Sequence, residues 1–418
     1  MNDLEKKVMD AIDNNADKII DFAKKSLENP ELGYREHKTS KLVMDEFDLL
    51  NIPYQKELAV TGIKARLKGG KSDFNVAVIG ELDAVKCYGH DYCDNSTGAA
   101  HACGHHAQLA SMIGVAYGLR ESGAMQSLGG DVSFMAVPAE EYIDLDFRRK
   151  LRDEGKIKFF GGKQQLICEG AFDDVDAAMM VHAQANTPQK ATFVHGGSLG
   201  FLGKSVTFKG KAVHAAMPFD GVNALNAAAL AILGIHANRE TFREEEKIRI
   251  HPIITKGGDV VNSVPDEVCI DSYVRGATMP AIKKASACAD RAIYGAAQMV
   301  GAEAEIVNEA GYLPLCQDYT LGEIYKEAAG EFLDKGSILE YVDMTGSTDM
   351  GDLTHIIPAI QPTVGGFYGD LHSRDMLVSD DYAAYVIPAK IMALTVMKLL
   401  SNDGKGIIQV KENFKPLM

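Results

Sequence analysis

Reactive side chains concentrate in a few short segments of this chain. His-Ala-Cys-Gly-His-His occupies 101–106, so four of six consecutive residues are Cys or His. Cys103 and His105 stand two apart where a helical pattern begins. A thiolate and an imidazole that close can share one metal ion or bridge two. A helix N-terminus would also favour the thiolate charge. Glu140 and Glu141 are adjacent acids behind an apolar run and Pro138. Adjacent acids cannot both be buried without partners. If the backbone turns there, one carboxylate can bind metal while the other takes the proton of a water that the metal acidifies, a division of labour suited to hydrolysis. Glu81 and Asp83 fall on the same side of an extended segment and could hold a ligand imidazole from behind. His182, His214 and His372 carry no such local pattern, and a lone histidine is more often structural than a ligand.

The elements that must position these groups follow from periodicity. Apolar residues at helical spacing over 4–28 and 36–50 predict two helices, the first ended by Pro30. Runs at 58–67, 75–79, 131–137 and 175–182 predict strands, and 104–121 predicts a long helix stopped by Gly123. Strands alternating with helices imply an α/β fold with a mostly parallel sheet. Ligands in such folds bind at the carboxyl ends of strands. Glu81 and Asp83, Glu140 and Glu141, and His182 each follow a strand, so one sheet edge would gather them. From 198 to 309 the order becomes strand 203–209, helix 222–237, strands 248–255 and 267–275, helix 280–300 and strand 303–308. This β-α-β-β-α-β order predicts a ferredoxin-like α+β domain inserted in the first. The expected division is therefore 1–197 and 310–418 for the main domain and 198–309 for the insertion. A final helix is expected over about 380–401, and the charged, Gly-containing stretch 144–170 reads as a surface excursion.

Bulk properties narrow the classes. At 418 residues, two domains are expected. The net charge of −15 disfavours nucleic acid or an anionic membrane as partner. Seven cysteines without a framework spacing read as reduced thiols. The N-terminus lacks a basic region followed by an apolar run, and no uninterrupted apolar run approaches ~18 residues. A cytoplasmic location is expected.

Taken in order, the segments resemble a known family. They are Gly-Glu-Leu-Asp-Ala at 80–84, His-Ala-Cys-Gly-His at 101–105, Pro-Ala-Glu-Glu at 138–141, His182, His-Ala-Ala-Met-Pro at 214–218, Gly-Gly-Asp-Val-Val-Asn-Ser-Val-Pro at 257–265, and Gly-Ser-Thr-Asp at 346–349 followed by His372. The chain resembles the dinuclear metallohydrolases related to aminoacylase, carboxypeptidase G and the indole-acetyl-amino-acid hydrolases. It is most similar to the Cys-bridged branch with hippurate and aminobenzoyl-glutamate hydrolases. The resemblance implies a catalytic domain of zinc-exopeptidase type with an inserted dimerisation and lid domain. It implies two divalent metals (Zn, Mn, Co or Ni) bridged by Cys103, with Glu141 and His372 completing one site and His105 and His182 the other. Glu140 would be the general base, then the acid. His214 would stabilise the oxyanion in a neighbouring subunit's site, and Asn262 and Arg275 would hold the substrate. Glu81 and Asp83 would support the ligands. The implied reaction is cleavage of the amide bond of N-acyl or N-aroyl amino acids or small peptides by a metal-activated water, in a homodimer or higher homo-oligomer. Alternatives are a dipeptidase or other small-amide hydrolase on the same site, a non-catalytic metal-binding relative, or a thiol protein built on Cys103. The chain departs from the family at Glu81-Leu82-Asp83-Ala84-Val85, where Asp-Met-Asp-Ala-Leu is usual, and at His106, where Asp is usual. Its 142–170 segment is longer than in the simplest members and resembles the aminobenzoyl-glutamate type.

Overall fold

The structure, a computed structural model, describes residues 1–340 and 343–418. The chain divides into two compact units. The first comprises Met1–Gly197, Cys316–Val342 and Asp352–Met418; the second comprises Ser198–Leu315 and Asp343–Gly351.

In the first unit, strands β1 (Tyr54–Leu58), β2 (Gly62–Leu67), β3 (Asn75–Glu81), β4 (Asp131–Val137) and β5 (Ala177–Met179) join Ala359–Ile360 in one sheet. Its order is β1-β2-β4-β3-β5 followed by Ala359–Ile360. β3 runs parallel to both β4 and β5, and β5 parallel to Ala359–Ile360; β1 and β2 are antiparallel. The sheet is thus mostly parallel, as the alternation of elements predicts. Every residue of β3 and β4 is buried, as expected of a parallel sheet covered on both faces.

Five of the unit's helices are α1 (Asp3–Asn14), α2 (Ala16–Leu27), α3 (His37–Leu49), α4 (His105–Glu121) and α5 (Leu145–Asp153), followed by the short α6 (Gly162–Cys168). The single helix expected over 4–28 is two, because Asn15 leaves helical geometry and turns its amide to Ala11 O and Glu121 Oε2. The strand expected over 58–67 is a hairpin, turned by Ala59 and Val60 at positive φ. The stretch 144–170 is no surface excursion. It forms α5 and α6 and buries Arg148 and Lys163 completely. The last helix, Ile387–Asn413, departs from helical geometry at Ser401–Gly404, where the sequence predicted its end. Together with the preceding turn from Tyr382 it is long and apolar enough to cross a membrane, yet 94% of its most apolar window is buried in the unit. It is a core helix, packed on α4 and on the helix Tyr319–Ala329.

The second unit contains β6 (Gly200–Lys209), α7 (Ala224–Ala237), β7 (Arg249–Lys256), β8 (Glu267–Gly276), α8 (Met279–Val300) and β9 (Glu303–Glu309). Its antiparallel sheet has the order β7-β8-β6-β9, and both helices pack on the sheet around one apolar core. The β-α-β-β-α-β order is the one the sequence predicts. The unit runs past 309 because Phe201 N donates to Tyr312 O, and it takes in 343–351 because Leu199 N donates to Gly346 O.

Asp131 opens β4 with a fully buried side chain that accepts from Arg66 Nε (2.7 Å), Lys68 Nζ (2.9 Å), Gly69 N (2.9 Å) and Ser72 Oγ (2.7 Å). Burial pushes its carboxyl up, but these donors outweigh burial and hold it below the usual 3.8. A depressed carboxyl contributes stability above its unfolded value and loses it as pH falls through the folded one. Asp131→Asn should therefore cost about 1–3 kcal/mol near neutral pH. In urea melts its deficit against the parent should shrink below pH 4; a constant deficit would refute the charge assignment.

Candidate metal centre

β3 and β4 lie in parallel register, with Glu81 opposite Val137, so the residues that leave both strands emerge side by side. Leu82 N donates to Val137 O and extends this pairing by one residue. Gly104, at φ +83, connects Cys103 to the first turn of α4. A side chain there would meet both an unfavourable backbone and Ala183 Cβ at 2.5 Å. That close approach brings the Cys103 loop against His182. His182 lies just beyond β5, in a short strand paired in parallel with Thr363–Val364.

The eight residues assigned to the centre in this unit converge. Cys103, His105 and His182 offer ligand atoms that all lie within 4.8 Å of one another, and so do Cys103, Glu141 and His372. Cys103 is common to both groups. Its Sγ lies 3.4 Å from His182 Nε2. His372 Nε2 lies 3.1 Å from Glu141 Oε1, and His372 N donates to Ala102 O. His372 sits at φ +63 and is half-exposed, whereas Cys103, His105, Glu141 and His182 are buried. Glu140 Oε2 approaches His105 Nε2 at 4.0 Å, and Glu140 is buried too.

Asp83 holds two of these groups at once. Its Oδ1 lies 3.2 Å and its backbone carbonyl 2.9 Å from His105 Nδ1, while Oδ2 accepts from Glu141 N at 2.9 Å. Glu81 lies on the other side of the ring, Oε2 being 3.1 Å from His105 Nε2. It also accepts from Gln108 Nε2 at 2.9 Å and from Lys163 Nζ. Burial works against charge at each position, but the neighbours prevail. His182 and His105 lower Cys103 to about 6, and Lys163 and His105 lower Glu81 to about 2. The Cys103 thiolate and the Glu141 carboxylate beside it raise His372 to about 11.

These donors fit divalent metal ions. Glu141 Oε1 and His105 Nε2 are buried without a hydrogen-bond partner, although His372 Nε2 and Glu81 Oε2 stand 3.1 Å away. Buried polar atoms that face one another outside hydrogen-bond geometry are what converging ligands look like. One thiolate, three imidazoles and a carboxylate form a donor set suited to zinc and its first-row neighbours. His101 and His106 belong elsewhere. Their rings pack at 5.3 Å, His106 Nε2 lies 3.4 Å from Tyr385 Oη, and burial holds His106 to about 3.

His214, Asn262 and Arg275 lie in the second unit. His214 and Asn262 are exposed neighbours on paired segments, Ala215 N donating to Asn262 O. Arg275 leaves β8, donates to Ser347 Oγ at 2.7 Å and lies over the Phe201 ring.

Sequence reasoning missed four groups that position the centre: Glu36, Gln108, Arg148 and Lys163. Glu36 is buried, accepts from Ala139 N (2.8 Å) and Thr61 Oγ1 (2.6 Å), and is raised to about 7 by burial and by Asp83. Ala139 has φ +55, which makes the turn that separates Glu140 and Glu141 from the strand. Arg148 clamps this turn from α5. It donates to Ala139 O (3.3 Å), Phe160 O (2.5 Å) and Glu141 O. Gln108 carried a usable signal, a polar residue three after His105 in the mostly apolar run from Ala107 to Leu119. Arg148 carried none, being one of four basic residues within α5.

Residues 197–287 match the peptidase dimerisation domain model of the M20 family. Over 94% of its length the chain is 27% identical to the IAA-amino acid hydrolase ILR1-like 2 of Arabidopsis thaliana, covering 88% of that protein. It is 28% identical to the Xaa-Arg dipeptidase of Mus musculus over 99% of this chain and 90% of that one. Among solved structures, a dinuclear metal binding peptidase of the M20 family from Bacillus subtilis superposes with a TM-score of 0.72 at 21% identity, covering 93% of this chain and 99% of that chain. An aminobenzoyl-glutamate utilization protein from Klebsiella pneumoniae gives a TM-score of 0.69 at 18% identity, covering 93% and 97%.

Arg148→Ala should release the Glu140–Glu141 turn and weaken metal binding ~10–100-fold, the scale seen when groups behind metal ligands are removed. Competition against a chelating dye measures this; unchanged affinity in a folded variant would refute the clamp. The chain is thus a homologue of the IAA-amino acid hydrolases, Xaa-Arg dipeptidases and carboxypeptidases, with the M20 peptidase fold and its dimerisation domain.

Proposed function

We propose that the protein is a dinuclear metal-dependent amidohydrolase that cleaves N-acyl or N-aroyl amino acids or dipeptides. The observation that carries this reading is the pair of ligand groups sharing Cys103, with the buried Glu140 beside them. Cys103, Glu141 and His372 would hold one ion, Cys103, His105 and His182 the other. Two divalent cations there would supply Lewis acidity, acidifying water and polarising the amide carbonyl. Zinc, manganese, cobalt and nickel all suit the donors.

The protein's own groups carry the protons. Glu140 takes a proton from the attacking water and returns it to the departing nitrogen. Water's oxygen bonds to the carbonyl carbon, the C–N bond breaks, and the second proton of the water also passes to the amine, so that a carboxylate and an ammonium leave. Asp83 keeps His105 Nδ1 engaged, which leaves Nε2 as the ring atom that would hold a metal. Relatives named as hydrolases of amino-acid conjugates and as dipeptidases support both substrate classes. Arg275 suits a substrate carboxylate, with Asn262 as a further contact.

The matched dimerisation domain, which contains His214, Asn262 and Arg275, supports a homodimer. His214 would cross to the partner subunit's centre and steady the oxyanion. No disulfide joins the seven cysteines, all of them among the described residues, which suits a cytoplasmic location.

Glu140→Gln should keep its metals and lose ~10²–10⁴-fold in kcat on an N-acyl amino acid panel. Full turnover would sink its role. Chelation should abolish activity and one of the four metals restore it; activity that survives metal removal would instead favour a thiol enzyme built on Cys103. If His214 acts across a dimer, heterodimers of His214→Ala with Glu140→Gln should regain activity that neither homodimer has. Verified heterodimers without recovery would exclude that arrangement.

A further inference from the structure

Lys163 is a lysine with no exposed surface, in a stretch whose charge and glycines suggest a loop on the surface. Its position is fixed by backbone. Gly162, the first residue of α6, donates to Ala139 O. A Cβ on Gly162 would fall 1.6 Å from Pro138 O, so α6 docks directly on the turn that carries Glu140 and Glu141. The next side chain, Lys163, reaches across to Glu81 Oε1.

Glu81 is placed awkwardly for a purely supporting acid. Its Oε2 lies 3.1 Å from His105 Nε2, the ring atom that would bind metal, and outside hydrogen-bond geometry with it. Glu81, His105 and Glu140 also form a third group with all ligand atoms within 4.8 Å. A buried carboxylate there could bind an ion beside His105. Catalytic sites keep one coordination position open, whereas a filled set of protein ligands makes a structural site. Something must hold Glu81 back, and two donors do so: Gln108 Nε2 on Oε2 and Lys163 Nζ on Oε1.

We propose that Lys163 is a positioning residue that keeps Glu81 as the counter-ion of a protein cation, and so prevents it from becoming an additional ligand of the His105-side metal. The proposal rests on the metal-centre reading above. Without the ammonium, a buried carboxylate lacks its cation, and the nearest replacement is the ion itself. Binding would tighten, and the position that water or substrate needs would be filled. Gln108 alone supplies a neutral donor, which orients the carboxylate without balancing its charge.

The test uses the full-length chain with Co(II), in parent, Lys163→Met, Lys163→Arg, Glu81→Gln and the double variant Lys163→Met/Glu81→Gln. Dye competition gives affinity and stoichiometry, the visible spectrum reports cobalt coordination number, and kinetics on one N-acyl amino acid give kcat and KM. Lys163→Met should bind one ion ~10-fold more tightly, show the weaker absorption of a more highly coordinated cobalt, and lose ~10–100-fold in kcat with a smaller change in KM. Lys163→Arg should stay close to the parent spectrum. The double variant should recover the parent spectrum and at least ~10-fold of the lost kcat, because the competing charge is gone. Unchanged affinity and spectrum in Lys163→Met, or no recovery in the double variant, would overturn the proposal. If Lys163→Met does not fold, the neutral double variant decides: two ions and kcat within ~10-fold of the parent support the proposal, and loss of the ions overturns it. A parent that binds no metal would overturn the metal-centre reading itself.

Discussion

Everything around the candidate centre answers one electrostatic constraint: too many acids end in one buried place. β3 delivers Glu81 and Asp83, β4 delivers Glu140 and Glu141, and the loop before α4 adds the Cys103 thiol. Their convergence is imposed by the parallel register, which sets Glu81 beside Val137 and leaves the following residues no separate exit. Removing an ion from water costs several kcal/mol even after relaxation, and like charges add to that cost. The compensation is visible. His105, His182 and His372 surround the thiol and Glu141, and Lys163 sits on Glu81. Two cations would complete it, so folding and metal binding would be coupled at this site.

Asp83 shows how one residue can serve several needs. One oxygen meets His105 Nδ1 and the other the amide of Glu141. A single carboxylate therefore fixes the ring of one candidate ligand and the backbone of another, across the two groups that share Cys103. His182 follows the same logic by different means, its Nδ1 meeting the carbonyl of Ala183 and its Nε2 facing Cys103. Both rings present Nε2 inward because both have Nδ1 occupied. Backbone and carboxylate partners, more than the ligands themselves, decide which lone pairs point at the centre.

The candidate ligands that the structure brings together were legible in the sequence, and most of the groups that position them were not, for a physical reason. Cys103, His105, Glu140 and Glu141 stand in clusters that a strand-then-turn pattern places at one sheet edge, so local reading reaches them. His182 and His372 are single residues, and only the whole ordered set of segments picks them out. Glu36, Arg148 and Lys163 act through backbone carbonyls, an amide and one carboxylate. Such contacts leave no periodicity and no spacing, because they depend on where a distant turn happens to pass. The same limit explains the misread stretch 144–170. Its charges suggest exposure, yet two of them are spent inward on Ala139 O, Glu141 O and Glu81. The parallel sheet and the β-α-β-β-α-β insertion were legible because burial imposes period 2 or 3.6 on many residues at once. The break at Asn15 was not, since a single residue that redirects its own amide leaves the apolar period intact.

Two departures from the family pattern make sense together once charge is followed. The resemblance leads one to expect Asp where this chain has His106. An acid there would be a further anion buried immediately behind the centre. The imidazole needs no ionic partner: burial keeps it neutral, with Tyr385 Oη at 3.4 Å and His101 against its face. At the other departure the chain keeps its acid but lengthens it. Glu81 has one methylene more than the Asp that the resemblance leads one to expect, and its carboxylate lies beside both His105 and Lys163. A neutral imidazole at 106 adds no negative charge behind the centre, and the charge of Glu81 is matched by Lys163 from α6. The 142–170 segment serves the same balance. Its helices supply the cation that a glutamate at 81 requires and the arginine that holds the turn beside it.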